Sequence, residues 1–194
     1  MQIEDLIELA KRVQAQQAEA QTVEVKAAHR GCPSKLRDTL SSFSNQNSGG
    51  ILLFGLDENE HFTAVGVYDL QDLQKKITEQ CNQMQPPVRA LFTTAEYEGV
   101  WICSAEIPSV AYSERPCYYI GAGIQNGSYV RVGDADRHMT DYEIYCFEAY
   151  RNHMHDDERV IERATADFLD KDLLNAFLTE RRISRPQFAQ MNDT

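Results

Sequence analysis

Apolar residues recur at helical spacing at the start of the chain. Ile3, Leu6, Ile7, Ala10 and Val13 fall on one side of a helix predicted over residues 3–17, which runs into a Gln/Ala stretch, 14–21. The period then changes to two. Across 22–26, Val23 and Val25 alternate with Glu24 and Lys26, the pattern of a half-buried strand whose carboxylate and ammonium share one face. Pro33 and Ser34 open a second helix, with Leu36, Leu40 and Phe43 on its buried side, and Asn45, Asn47, Ser48, Gly49 and Gly50 end it. Residues 51–56 are apolar on both faces. They predict an interior strand, with 61–67 as its antiparallel partner across the acidic turn 57–60.

Asp69 caps a third helix marked by Leu70, Leu73, Ile77, Cys81 and Met84 until Pro86-Pro87 stops it, with Met84 as core filler. Residues 88–97 and 100–107 flank Glu98-Gly99 and predict a hairpin; strand-like pieces at 117–120 and 128–132 are joined through a loop, 121–127. Thr140 and Glu143 have capping-box spacing and open a helix through about residue 153, and Asp170 starts another carrying Leu173, Leu174, Phe177 and Leu178. The fold class that follows is α/β (α+β): a mixed, largely antiparallel sheet flanked by helices. It is expected to divide into an N-terminal helix over 1–18, a domain over 19–153, and a helical tail or linker over 154–194. The chain stops at Thr194 without a closing element, which reads as the N-terminal part of something longer.

With 194 residues, 42% of them hydrophobic, the chain has enough apolar material for one core and a small appended unit. Five cysteines, Cys32, Cys81, Cys103, Cys117 and Cys146, form an odd set without a C-x-x-C pair, which indicates neither a disulfide framework nor a zinc site. The acidic N-terminus is unlike a signal peptide and no apolar run spans a bilayer, so the expected location is the cytoplasm, with no membrane partner. A net charge of −11 argues against a broad basic surface for nucleic acid and leaves local patches. Lys26, Arg30, Lys35 and Arg37 form one cluster in sequence, and Arg115, Arg131 and Arg137 are spread across the later β region; the alternative for each is solubilising charge.

Three carboxylates lie at predicted element boundaries: Glu19, Glu24 and Asp57. Converging on one spot, such oxygens suit a hard divalent ion, Mg²⁺ or Mn²⁺; apart, they are solvated surface charge. Other patterns carry less. Gly121-Ala122-Gly123 has no third glycine, no following helix and no Walker lysine, and reads as a hairpin loop. His153, His155, Asp156 and Asp157 are spaced so that residues two apart face different directions on a helix, which reads as a solvated helix end. No nucleophile-base pair is supported by spacing.

Taken in order, Glu19-x-x-x-x-Glu24-x-Lys26, Phe43-Ser44-Asn45 through Gly49-Gly50, the run 51–57, Val65-Gly66-Val67 and Tyr129-Val130-Arg131-Val132-Gly133 resemble the Schlafen Alba-like domain, in older naming a divergent AAA domain. The resemblance spans roughly 19–148 and lies in the ordered series rather than in any single piece. It implies an α/β DNA-binding domain of the kind found at the N-terminus of bacterial transcriptional regulators. In the Schlafen branch the same fold carries an RNA-cleaving site of two glutamates and an aspartate, to which Glu19, Glu24 and Asp57 correspond. The family's asparagine before Gly49-Gly50 has two candidates here, Asn45 and Asn47.

The leading expectation is therefore a regulator domain that binds DNA or structured RNA through Lys26, Arg30, Arg115 and Arg131. The rival is a metal-dependent endoribonuclease in which Glu19, Glu24 and Asp57 hold Mg²⁺ or Mn²⁺, and a third reading is an ATP-linked regulator or scaffold domain. Mammalian Schlafen cores pair two Alba-like halves where this chain has one, which implies a homodimer, its apolar contact supplied by Ile3, Leu6, Ile7 and Leu9 or by Leu173 and Phe177.

Overall fold

In the computed structural model, residues 1–152 and 169–184 are described. The chain divides into two compact units, Met1–Met154 and His155–Thr194. The first helix, α1 (Ile3–Gln16), leads to strand β1 (Val23–Lys26), helix α2 (Arg37–Asn45) and strand β2 (Gly50–Phe54). Short strands β3 (Leu56–Asp57) and β4 (Thr63–Ala64) precede α3 (Leu70–Cys81) and β5 (Met84–Gln85). The hairpin β6 (Leu91–Tyr97) and β7 (Val100–Ile107) is followed by β8 (Tyr118–Tyr119), α4 (Gly123–Gly127), β9 (Tyr129–Val132), β10 (Ala135–His138) and α5 (Asp141–Arg151). The second unit contributes α6 (Lys171–Ser184).

The central sheet has the order β1-β2-β7-β6, with β1 parallel to β2 and the other pairs antiparallel. Burial of β2 on both faces follows from its position. Leu53 meets Leu6, Leu9, Ala10 and Val13 of α1 on one side, together with Val23, Val25, Ala95 and Ile102. Leu52 and Phe54 meet Leu40 and Phe43 of α2 and Leu73 and Ile77 of α3 on the other, with Cys103, Ala105 and Met84. Each fully buried aliphatic side chain contributes about 1.5–3 kcal/mol, so the two layers of helix are held by their stripes. Leu6 and Leu9 are thus taken up by the chain's own sheet and are not available to a second copy. Gly50 is required by this packing, because a Cβ there would stand 2.3 Å from the Phe43 ring.

The structure departs from the sequence reading at five places. The third helix stops at Cys81, and Met84 pairs with Tyr119 in β5 instead of extending the helix's stripe. The second helix begins at Arg37 rather than at Pro33, because Gln80 ties down the preceding segment: its Oε1 accepts from the Leu36 N–H and its Nε2 donates to the Pro33 carbonyl. The apolar run splits at Gly55, whose φ of +106° ends β2. The antiparallel neighbour of β2 is β7, while β4 pairs only with the two residues of β3, since His61 and Phe62 take left-handed backbone and end the extended run. Residues 121–127 hold a short helix rather than an open loop, and β10 pairs with β9. The Thr140/Glu143 capping box forms as expected. His153, His155, Asp156 and Asp157 lie outside the described residues. Among the described residues no helix is long and apolar enough to cross a membrane.

Candidate functional site

β1 directs its valines at α1 and so turns Glu24 and Lys26 to the opposite face, over which the β9–β10 hairpin and α2 pack. Register does the rest. Arg131 of β9 stands across from Asp136 of β10, and both face α2. Arg131 is the centre of the resulting network, its side chain only 1% exposed. Nη2 donates to Glu24 Oε2 at 2.8 Å and lies 3.8 Å from Glu19 Oε2, while Nη1 donates to Asp136 Oδ1 at 3.0 Å. Its guanidinium lies 5.3 Å from the centre of the Phe43 ring. Asp136 accepts further bonds from Thr39 Oγ1 at 2.7 Å and Ser42 Oγ at 2.6 Å, which tie the hairpin to α2.

The two glutamates differ. Glu24 is neutralised on both oxygens, by Arg131 and by Lys26 Nζ. Glu19 sits in the connection between α1 and β1, accepts the Val25 N–H at 2.7 Å, and is pushed up to about pH 7. Burial is the main cause, Glu24 and Glu58 add to it, and the Val25 N–H and Lys26 oppose it. Glu19 borders an open cavity of about 380 Å³ with Glu58, His61 and Asp134 around it.

Asp57 is engaged elsewhere: it caps the Glu58–Glu60 turn by accepting from the Asn59 N–H at 3.0 Å and Asn59 Nδ2 at 3.2 Å. The structure therefore brings Glu19 and Glu24 together on Arg131, with Asp57 bonded to neither. Among the described residues no group of three or more His, Cys, Asp or Glu side chains is placed to hold a metal ion. With both Glu24 oxygens facing cations, the donor set as it stands does not fit Mg²⁺ or Mn²⁺. Burial raises the Cys81 thiol to about 11 and those of Cys103 and Cys117 to about 12, so these three stay protonated at neutral pH.

The four expected nucleic-acid-binding residues separate into two kinds. Arg131 and Arg115 are buried at 5% and 6% exposure. Arg115 serves the end of α2, donating to Asn47 Oδ1, the Gln46 carbonyl and the Val110 carbonyl. Neither guanidinium is presented to a phosphate; both fix the frame. Lys26 is part-exposed and Arg30 exposed, as is Lys35. Arg37 lies over the Tyr119 ring at 4.8 Å, and Tyr129 stacks on His138 with ring centres 4.3 Å apart. Of the two candidate asparagines, Asn45 is buried and bonds Cys117 N and O and the Tyr129 carbonyl, whereas Asn47 is exposed.

Asp136, Thr39, Ser42, Tyr119 and His138 did not stand out in the sequence. The one usable signal was Gly133, whose φ of +65° closes the turn that sets Arg131 opposite Asp136.

The Schlafen, AlbA_2 family model matches residues 19–140. A comparison with curated proteins finds no match. Among solved structures, the chain is similar to the N-terminal domain of a protein related to the ATP-dependent DNA helicase RecG, from Nitrosomonas europaea: 22% identity, 70% of this chain and 93% of that one covered, TM-score 0.53. It is also similar to the DIP2311 protein from Corynebacterium diphtheriae, at 18% identity, with 98% of this chain and 41% of that one covered and a TM-score of 0.48. At such identities the first likeness shows the fold. The family match covers well over half of the sequence, and the chain belongs to the Schlafen, AlbA_2 family.

Proposed function

We propose that this domain binds nucleic acid, DNA or structured RNA, through the rim around the N-terminal end of α2, as a module of a bacterial cytoplasmic transcriptional regulator. One observation carries the reading. In a chain of net charge −11, Lys26, Arg30, Lys35 and Arg37 reach the surface within twelve residues, Arg37 over the Tyr119 ring, and the hairpin packed on α2 carries the Tyr129–His138 ring pair. Cations that track a phosphate chain next to rings on which bases stack are the two parts of a nucleic-acid platform. Arg131 contributes from beneath, by holding the hairpin that carries Tyr129 and His138 against α2. Membership of the Schlafen, AlbA_2 family and the fold shared with a helicase-related domain support the same reading.

Fluorescence anisotropy with labelled single-stranded DNA, duplex DNA and transfer RNA between 50 and 200 mM salt tests it. Affinity is expected to fall as salt rises, and Arg30→Glu and Lys35→Glu each to reduce the slope by about one. Absence of salt-sensitive binding to all three probes refutes the proposal. Transfer RNA cleaved in Mn²⁺ by the native chain but not by Asp57→Asn would instead favour the three-carboxylate nuclease.

A further inference from the structure

The sheet ends on β6, seven residues long and paired on one side only, with β7. The two-residue Glu98-Gly99 turn, with φ of +50° and +79°, makes Tyr97 and Val100 a hydrogen-bonded pair. Alternation from that pair turns the N–H and C=O of Tyr97, Ala95, Thr93 and Leu91 toward β7, and those of Glu96, Thr94 and Phe92 away from it. Among the described residues no backbone bond meets that outer side. Edge strands of this length are ordinarily protected by lysine, proline or a bulge. β6 has none of these and carries one charge, Glu96.

We propose that a second copy of this chain occupies this edge, its β6 antiparallel to the first about a two-fold axis through Thr94, so that two four-stranded sheets become one of eight. The register is selected by the residues. With Thr94 opposite the partner's Thr94, Phe92 stands opposite the partner's Glu96, and every outward-facing residue of one strand meets an outward-facing residue of the other, two hydrogen bonds to each pair. Shifting the axis to Glu96 would set two like charges face to face and leave Phe92 unpaired. In the favoured register Leu91, 64% exposed, lies opposite the partner's Tyr97, and Glu98 comes opposite the partner's Ala90, beside the partner's Arg89. An exposed apolar side chain is covered at each end and the charges that meet are of opposite sign. The interface uses neither the α2 rim nor the Arg131 network.

Light scattering and hydrogen exchange on the full chain test the proposal. The native protein at tens of micromolar is expected to weigh twice 22.1 kDa, with slow exchange at Phe92, Thr94 and Glu96 that quickens on dilution. Thr94→Pro places a ring where the N–H faces outward, a position at which an edge strand accepts proline, and is expected to give a 22.1 kDa particle with unchanged circular dichroism and fast exchange at Phe92 and Glu96. Should that variant not fold, Thr94→Lys is expected to give the same halved mass. A native particle of 22.1 kDa, or a dimer whose Phe92, Thr94 and Glu96 amides exchange as fast after pairing as before, overturns the proposal. So does a dimer that survives both substitutions.

Discussion

Replacing Glu19 by glutamine isolates a charge that the fold holds at a cost. Its carboxyl is raised from an ordinary 4.5 to about 7, chiefly by burial. Between these values the unfolded chain carries an ionised glutamate while the folded one retains the proton, so folding takes up a proton and stability falls as pH rises through 4.5–7. Below that window the group contributes nothing to the difference; above it the full cost is present. At about 1.36 kcal/mol per pH unit the ceiling is roughly 3 kcal/mol. Water at the mouth of the neighbouring cavity screens the charge, which brings the expected figure to about 1–2 kcal/mol. Glutamine keeps a carbonyl for the Val25 N–H and removes the titration. Urea unfolding followed by circular dichroism should find Glu19→Gln close to the native protein at pH 4.5 and more stable than it at pH 8, by about 1–2 kcal/mol. An equal difference at both pH values, or a variant weaker at pH 8, refutes the account of Glu19 as a carboxylate strained by burial.

Arg131→Met keeps the volume but leaves Glu24 and Asp136 facing one another without a guanidinium, and is expected to cost about 3–5 kcal/mol in urea unfolding; a loss below about 1 kcal/mol would mean the network is not buried as described. Asn45→Ala strips partners from Cys117 N and O and the Tyr129 carbonyl, and thermal unfolding should register a loss of about 2–4 kcal/mol, with a smaller loss for Asn47→Ala, which gives up one bond from Arg115.

What was legible in the sequence was what is decided locally. The α1 stripe, the Asp69 cap, the Thr140/Glu143 box and the Glu98-Gly99 turn each depend on residues within a few positions of one another, and each forms in the structure. β10 was invisible because Ala135-Asp136-Arg137-His138 has no apolar alternation: it is held by the turn at Gly133 and by its charge partner rather than by a hydrophobic face. The same limit governs the site. Glu19 and Glu24 were readable as paired carboxylates on adjoining elements, but that a guanidinium from β9 lies between them depends on where β9 docks. Arg115 and Arg131 looked like surface cations, since nothing in their neighbours reveals that each is enclosed by segments distant in sequence. The antiparallel partner of β2 was sought nearby, at 61–67, and came instead from β7, about a third of the domain away.

The distance along the chain between Arg131 and the strand it clamps also sets an order of events during synthesis. Arg131 follows Val23, whose carbonyl it reaches, by 108 residues. At about 5–20 residues per second, the β1 strand leaves the ribosome roughly 5–20 s before the arginine that also binds Glu24 follows it out. Through that interval the β1–α2–β2 crossover can already be in place, while the two glutamates must stay hydrated and the face they occupy stays open. Closure of the charge network is thus a late, non-local event, and a nascent chain interrupted before β9 would display the basic rim of α2 without the hairpin that gives it a floor.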